Sequence, residues 1–200
     1  MTLPHHPTTP PLLLASASPR RQRLLREAGV AFEVAAVAAT EISIVGDPAA
    51  TVSHNARAKH DACRALHPAA AILAADTLVW FEGELIGKPR DFDEAAAFLR
   101  AFAGRTQSVY TALALSLPTA STATLHVEVS DVTFLKLSEA TITRYLATAQ
   151  PLDRAGAYDI DEQVVPLIAG YSGSYSNIVG LPLEPLLAWL RANLPGVMRR

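Results

Sequence analysis

The 200-residue sequence contains one cysteine, Cys63, so the chain cannot form an internal disulfide. This is what we expect of a protein in a reducing compartment such as the cytoplasm. Cys63 falls in an alanine-rich helical pattern with no catalytic context around it. We therefore expect it to fill space in the core rather than to act as a nucleophile.

Charge of either sign is also scarce. Charged residues make up 18% of the sequence and the formal net charge is −2, so the chain as a whole has no electrostatic attraction to nucleic acid or to an anionic membrane. No apolar run approaches the ~20 residues that would span a bilayer. Any basic binding site must therefore be local.

Residues 1–11 have little hydrophobic character, since four of them are proline and two are histidine. They lack the basic start and the apolar run of a secretory signal peptide. We expect a flexible lead-in here, followed by one domain over residues 12–200, a length that suits a single hydrophobic core.

The chain nevertheless has the means to fold, because half of its residues are hydrophobic. Periodicity predicts strands at residues 12–15, 32–37, 70–75, 78–81, 84–86, 106–117 and 125–135. Capping signals predict helices at 19–28, 49–66, 92–103, 138–149 and 182–194, and residues 151–173 are predicted to be irregular. Because strands and helices intermingle without strict alternation, we predict the α/β class with a mixed sheet and flanking helices.

The first motif is a turn. Leucines at 12–14 give way to Ser-Ala-Ser-Pro-Arg-Arg at 16–21, which predicts a buried strand, a tight turn and a helix with Ser18 as N-cap and Pro19 in its first position. Free backbone N–H groups then face the turn, and two guanidinium groups add bidentate phosphate donors. We interpret the turn as a phosphate-binding site. An ordinary strand–helix turn with solvated arginines would have the same pattern.

Asp76 and Thr77 follow the wholly apolar run at 70–75, which predicts a central strand buried on both faces. A carboxylate here is costly unless a cation, a proton or hydrogen bonds compensate it. Asp76, at the predicted strand end, is therefore a candidate metal ligand or general base. The alternative is an aspartate that caps the next turn. Thr77 can donate to a ligand or be an ordinary β-branched strand residue.

Two lysines, Lys59 and Lys88, occupy positions from which an ammonium group could reach a bound phosphate. Lys88 lies between Gly87 and Pro89 on a short, stiff connection, and Lys59 lies in the middle of a helix among alanines. Either could point into a cleft and bind phosphate. Either could equally be solvated, with Lys59 extended over its apolar neighbours.

Five motifs, taken together and in this order, resemble the Maf family, also called septum-formation-inhibitor-like nucleotide pyrophosphatases. They are Ser-Ala-Ser-Pro-Arg-Arg at 16–21, Ala-Asp-Thr at 75–77, Gly-Lys-Pro at 87–89, Asp-Arg-Ala-Gly-Ala-Tyr at 153–158 and Gly-Ser-Tyr-Ser-Asn-Ile-Val-Gly-Leu-Pro at 173–182. On composition alone, the last of these would be interpreted as a tight loop. The resemblance covers nearly the whole chain, from Leu12 to about Leu190.

The resemblance implies a cytoplasmic hydrolase that splits a nucleoside triphosphate into a monophosphate and pyrophosphate with a divalent metal, Mg²⁺ or Mn²⁺. It implies the α/β fold of the inosine triphosphate pyrophosphatases, in which a long mixed sheet carries a cleft between two lobes. Dimers occur in the family, so the resemblance also allows a homodimer, although nothing in the sequence locates an interface.

The resemblance also assigns site residues. The family's proton-accepting aspartate matches Asp76 and its acidic loop residue matches Glu41, and we hypothesise that these two hold the metal while Asp76 activates water. The catalytic lysines match Lys59 and Lys88. The residues that bind phosphate match Ser16, Ser18, Arg20 and Arg21.

Three specificity positions of the family hold Arg20, Thr77 and Asp161 here. The subgroup that acts on dTTP and UTP carries Arg, Thr and Gln, so Asp161 departs from the pattern. Glutamine can donate and accept a hydrogen bond, whereas an ionised aspartate only accepts. The resemblance implies hydrolysis of dTTP, UTP or modified pyrimidine nucleotides. It leaves open an enzyme for modified purine nucleotides, or a cell-division regulatory binding protein with incidental catalysis.

Overall fold

The computed structural model describes residues 10–118, 120–161 and 164–198. Within them, seven strands form one sheet: β1 (Leu12–Leu14), β2 (Glu33–Val34), β3 (Ala71–Phe81), β4 (Glu84–Ile86), β5 (Thr106–Ser116), β6 (Thr124–Phe134) and β7 (Ile168–Ser172). The α-helices of the same residues are α1 (Pro19–Glu27), α2 (Pro48–Leu66), α3 (Phe92–Phe102), α4 (Glu139–Thr148), α5 (Tyr175–Val179) and α6 (Leu183–Asn193). None of these helices has the length and apolar character that crossing a membrane requires.

The sheet is mixed, as predicted. Its strand order is β2-β1-β3-β5-β6-β7, and β4 pairs with the end of β3. Strand β1 runs parallel to β2 and β3, and the other pairs are antiparallel. The antiparallel strands β5 and β6 are joined directly, which confirms the two long alternating segments as a neighbouring pair.

Strand β3 is longer than predicted. The sequence suggested two strands, at 70–75 and 78–81, with Asp76 at the end of the first. Instead β3 runs without a break, and its ladder with β5 continues from Ile72 opposite Ser116 to Trp80 opposite Ser108. Asp76 therefore lies in the middle of a strand, and its placement at a strand end was wrong. Backbone pairing to β5 outweighs the local polarity at 76–77.

Alternation along β3 separates two parts of the core. Leu73 and Ala75 belong to a cluster with α1 and α6, whereas Ile72 and Ala74 belong to a cluster with α2. Cys63 is fully buried in the second cluster, as predicted. A third cluster packs α3 and α4 against the far half of the sheet. The sheet is thus covered on both faces, and polar groups on β3 must find partners within the protein.

Three other predictions need correction. Strand β2 has only two residues rather than the predicted 32–37. The segment 151–173 contains 3₁₀ turns at Pro151–Asp153 and Ala155–Ala157 and ends in β7, and the region 173–182 contains the short helix α5. Strand β7 was missed because its sequence, Ile-Ala-Gly-Tyr-Ser, does not alternate and most of it is exposed at the sheet edge. Residues 1–9 of the predicted lead-in lie outside the described residues, but the Pro11 carbonyl accepts a hydrogen bond from Ala71 over 3.0 Å.

Candidate active site

The turn after β1 has the predicted form. Ser18 is the N-cap of α1, since its Oγ accepts a hydrogen bond from the backbone N–H of Arg21 over 3.5 Å, and Pro19 begins the helix. Residues 17–21 line a cavity, so the N-terminal end of α1 faces open space. Unpaired N–H groups and the positive end of the helix dipole there favour an anion.

Arg21 is held inside this turn. Its guanidinium donates to Ser16 Oγ over 2.9 Å, to Thr77 Oγ1 over 3.0 Å and to the Gly180 carbonyl over 2.9 Å. Burial lowers the pKa of Arg21, against the opposing effect of the Asp76 charge. Its hydrogen-bond partners are neutral, so Arg21 joins three segments and also adds positive potential to the cavity.

Arg20 and Lys88 differ from Arg21 in being free. Both line the cavity, and within the described ranges neither has an ion pair or a side-chain hydrogen bond. A cation without a partner has its hydrogen-bond donors available for a ligand. These two side chains are therefore the cavity cations best able to bind the oxygens of a phosphate chain.

Asp76 is buried, and its carboxylate is paired with a cation and a hydrogen-bond donor. Its side chain is 10% exposed; Oδ1 lies 2.6 Å from Lys59 Nζ, and Oδ2 accepts a hydrogen bond from Asn55 Nδ2 over 3.3 Å. Lys59 Nζ also lies 2.7 Å from Glu41 Oε1. A single ammonium thus joins the two acidic residues that the sequence resemblance paired, at the wall of the same cavity.

The loop that carries Glu41 is fixed to α2. The Asn55 side chain accepts from the Ile42 backbone N–H over 2.9 Å and donates to the Ile42 carbonyl over 3.1 Å. Thr51 Oγ1 accepts from the Ile44 N–H over 2.9 Å, and Asp47 caps α2 where the loop ends. The Asn55 amide therefore holds both the Glu41 loop and Asp76.

Glu41 and Asp76 are two acidic side chains of this site that could bind a divalent metal ion. Within the part of the chain that the structure describes, no group of three or more His, Cys, Asp or Glu side chains could hold a metal ion. Two carboxylates close to one cation position, one of them on an exposed loop residue, still suit Mg²⁺, which commonly binds one or two carboxylates together with substrate phosphates. The donor set fits a metal that arrives with a triphosphate.

The cavity has a volume of about 620 Å³, within the ~300–1,000 Å³ range of small-molecule sites. Its wall combines Arg20, Lys59, Asp76 and Lys88 with residues of the segment 153–160. Residues 153–158 of that segment form the motif Asp-Arg-Ala-Gly-Ala-Tyr, to which the sequence assigned no role. In that segment Arg154 Nη1 lies 2.6 Å from Asp159 Oδ2. One space therefore holds an anion-binding region, a carboxylate fixed by a lysine and a charged pair on the opposing segment.

Thr77 and Asp161, two of the candidate specificity residues, differ in their position relative to the cavity. Thr77 lines the cavity, but its Oγ1 accepts from Arg21 and lies 3.0 Å from Thr111 Oγ1. Asp161 is not among the described lining residues. Its carboxylate accepts hydrogen bonds from Arg23 over 2.8 Å and from the Tyr175 hydroxyl. Burial raises the pKa of Asp161, but these two bonds outweigh burial and hold it below the ordinary value.

Sequence reasoning missed Asn55, Arg154 and Asp159. A signal for Asn55 was available, because it lies four residues before Lys59 in α2 and so shares a helix face with it. Arg154 stood in a quoted motif without a role. No local pattern marks Asp159, since its contact with Arg154 depends on the 3₁₀ turn between them.

Comparison with known proteins adds the following. The model of one protein family, described as Maf-like protein, matches residues 11–193. A dTTP/UTP pyrophosphatase of Deinococcus radiodurans is 44% identical over 184 residues, which cover 92% of this chain and 93% of that protein. A dTTP/UTP pyrophosphatase of Myxococcus xanthus is 45% identical, with 92% and 93% covered, and one of Lacticaseibacillus casei is 41% identical, with 90% and 98% covered.

Proposed function

The chain belongs to the Maf family, and we propose that it hydrolyses nucleoside triphosphates, in particular dTTP and UTP, to a monophosphate and pyrophosphate. The observation that carries the proposal is the Glu41–Lys59–Asp76 cluster, which shares the wall of its cavity with two cations, Arg20 and Lys88, that have no partner among the described residues. A fixed carboxylate beside an anion-binding region is what in-line hydrolysis of a phosphoanhydride needs. The proposal extends to one catalytic domain over residues 12–200 and to a cytoplasmic location, with a homodimer left open.

The phosphate chain would lie along the turn after β1. Arg20 and Lys88 supply free donors, Ser18 and the end of α1 supply N–H groups and a dipole, and Ser16 is held in place by Arg21. Positive charge at this place stabilises the pyrophosphate as it leaves, when the electron pair of the broken bond moves onto it. Arg21 also lines the cavity, but its guanidinium is bonded to Ser16, Thr77 and Gly180, so it contributes mainly its charge.

Asp76 is the proposed proton acceptor. As the oxygen of water bonds to the α-phosphorus, the bond from that phosphorus to the bridging oxygen breaks, and the water proton passes to an Asp76 oxygen. Lys59 and Asn55 fix the orientation of that carboxylate in advance. Fixed orientation lowers the entropy cost of bringing base and water together.

Glu41 and Asp76 are the residues that would hold a divalent cation, Mg²⁺ or Mn²⁺. When bound together with the triphosphate, such a cation supplies charge neutralisation at the phosphates. The chain's own contribution is to keep the two carboxylates close, through the Lys59 ammonium between them.

The preference for thymine and uracil nucleotides rests on the relatives named dTTP/UTP pyrophosphatase. Among the candidate specificity residues, Arg20 and Thr77 line the cavity and remain proposed contacts to the substrate. Asp161 is bonded to Arg23 and Tyr175 and is not among the described residues that line the cavity.

The test is pyrophosphate release from a panel of common and modified nucleoside triphosphates, with Mg²⁺ or Mn²⁺, for the wild type and Asp76→Asn. We expect metal-dependent release with dTTP and UTP preferred, and its loss in the variant. Preference for a modified purine nucleotide would keep the reaction and change the substrate. No release from any nucleotide by folded wild-type protein would overturn the proposal in favour of a regulatory binding protein.

A further inference from the structure

Asp161 lies where three parts of the cavity wall meet. It follows the lining residues 158–160 directly; its partner Arg23 belongs to α1, whose first turn lines the cavity; and its partner Tyr175 begins α5, whose last turn also lines it. The described lining does not include Asp161 itself. Asp161 therefore lies beside the cavity wall, where it joins residues 158–160 to α1 and α5; we call its contacts with Arg23 and Tyr175 the joint.

Both oxygens of the Asp161 carboxylate are engaged at this joint. Oδ2 accepts from Arg23 Nη2 over 2.8 Å, Oδ1 accepts from the Tyr175 hydroxyl, and Arg23 Nη2 lies 3.4 Å from that hydroxyl. Hydrogen bonds to an ionised carboxylate are about twice as strong as neutral ones. These donors fix the carboxylate at the contact with α1 and α5, and the described lining of the cavity does not include it, so it is not placed to read a nucleotide base.

The joint is connected to the residues that face the cavity. The backbone N–H of Asp161 donates to Asp159 Oδ1 over 3.0 Å, and Asp159 Oδ2 lies 2.6 Å from Arg154 Nη1. Between them, Ile160 packs against both the α1–α6 cluster and the α3–α4 cluster. A shift of Asp161 would therefore move the Asp159–Arg154 pair and Ile160 together.

We propose that Asp161 is a positioning residue, whose carboxylate holds residues 158–160 against α1 and α5 and so sets nucleotide affinity without reading the base. This inference rests on the proposed function, since it assigns the cavity to a nucleotide. It differs from the sequence expectation, in which Asp161 replaced a base-reading glutamine.

The kinetic consequence follows from population arithmetic. If residues 158–160 are held against α1 and α5 in only a fraction of the molecules, the apparent affinity for the nucleotide is reduced to that fraction of its full value. The reduction is the same whichever base the nucleotide carries. Once the nucleotide is bound, the wall is in place, and the chemical step at Asp76 proceeds at its usual rate. Loss of the Asp161 contacts should therefore raise KM equally for all nucleotides and leave kcat unchanged.

The experiment compares Asp161→Asn, Tyr175→Phe and the double variant, with KM and kcat measured for UTP, dTTP and CTP. We expect each single variant to raise KM about three- to tenfold for every nucleotide, with kcat within about twofold, as for the loss of a partly exposed charge-assisted hydrogen bond. The rise in KM of the double variant should be smaller than the product of the two single rises, because both changes remove the Tyr175–Asp161 contact. Glu139→Gln, which breaks the exposed Arg100–Glu139 pair elsewhere, is the matched control and should behave as the wild type.

Two outcomes would overturn the inference. The first is a change in the ratio of the KM for UTP to the KM for CTP in Asp161→Asn but not in Tyr175→Phe, which would show that Asp161 contacts the base directly. A lower melting temperature with unchanged KM in both variants would leave it a purely structural residue. If Asp161→Asn does not fold, the KM and the melting temperature of Tyr175→Phe still distinguish a positioning role from a purely structural one.

Hydrogen exchange keeps this test apart from the test of the proposed function. If the wild type hydrolyses no nucleotide, the proposed function fails, but amide exchange over residues 158–161 still reports on the joint. We expect faster exchange there in Asp161→Asn and Tyr175→Phe than in the wild type and Glu139→Gln. Equal exchange in all four proteins would show that Asp161 does not hold the wall.

Discussion

Asn55 donates a hydrogen bond to Asp76 over 3.3 Å, and the same side chain bonds both backbone groups of Ile42, next to Glu41. One buried amide thus sets the distance between the two proposed metal ligands. Thr51 and the Asp47 cap hold the far end of the loop 40–47, but the residues next to Glu41 are exposed. Without this amide, the position of Glu41 relative to β3 would therefore depend mainly on the Glu41–Lys59 ion pair. An ion pair with an exposed partner contributes little.

Asn55→Ala should therefore affect catalysis more than its distance from the phosphates suggests. We expect kcat to fall by about tenfold and the Mg²⁺ concentration for half-maximal activity to rise, because the Asp76 carboxylate and the Glu41 loop both lose their support. Steady-state assays over a Mg²⁺ titration measure both. His54→Ala, at the exposed neighbouring position of α2, is the control, and equal behaviour of the two variants would exclude a positioning role for Asn55.

Asp76→Asn should remove activity without unfolding the protein. Loss of a general base costs about 10²–10⁴-fold in rate. The fold should persist, because Lys59 keeps Glu41 as its partner and β3 keeps its ladder with β5. Pyrophosphate release and circular dichroism measure the two properties. The control is Asp131→Asn, which removes the charge of another strand aspartate, one bonded to Ser108. Near-full activity of Asp76→Asn would exclude it as the base.

Arg20 and Arg21 should respond in opposite ways to the same substitution. Arg20→Gln should raise KM by about tenfold or more and leave the melting temperature unchanged, since Arg20 has no side-chain partner in the described structure. Arg21→Gln removes bonds to Ser16, Thr77 and Gly180, which we expect to cost roughly 2–4 kcal/mol in the free energy of unfolding. Denaturant unfolding and steady-state kinetics on both variants test the contrast, and equal melting temperatures would contradict it.

This contrast also shows what sequence alone could decide. The Ser18 cap and Pro19 start of α1 were predictable because they are local. Which of the two arginines is engaged by protein partners and which is left for a ligand was not, because successive residues of a helix point about 100° apart and the rotation of α1 is set by packing. Arg21 turns to a carbonyl at Gly180, near the other end of the chain.

The same division runs through the rest of the fold and site. Most helices and long strands were predicted within a few residues, since their hydrophobic periodicity and caps are local. The continuity of β3 through Asp76 and the pairing of β7 depend on β5 and β6, which no window around those residues contains. The Lys59–Asp76 and Arg23–Asp161 contacts likewise join distant segments, so Lys59, Asp76 and Asp161 were foreseen as site residues, whereas these contacts and Arg23 were not.

Stability should depend on pH through Asp161 in a way that its uncharged variant lacks. Burial acts to raise the pKa of Asp161, but the bonds from Tyr175 and Arg23 lower it below its ordinary value of 3.8 in the folded protein. The folded state then binds fewer protons than the unfolded state over this range, so the stabilisation is fully present above about pH 5 and is lost as the pH falls through the folded-state pKa. Melting temperatures of the wild type and Asp161→Asn should differ by a constant amount from pH 5.5 to 8, and the difference should narrow as the pH falls below the ordinary pKa of 3.8. Tyr110→Phe, which removes no carboxylate, should differ from the wild type by the same amount throughout. A difference between the wild type and Asp161→Asn that does not narrow at all as the pH falls below 3.8 would mean that packing rather than charge holds Asp161 in place.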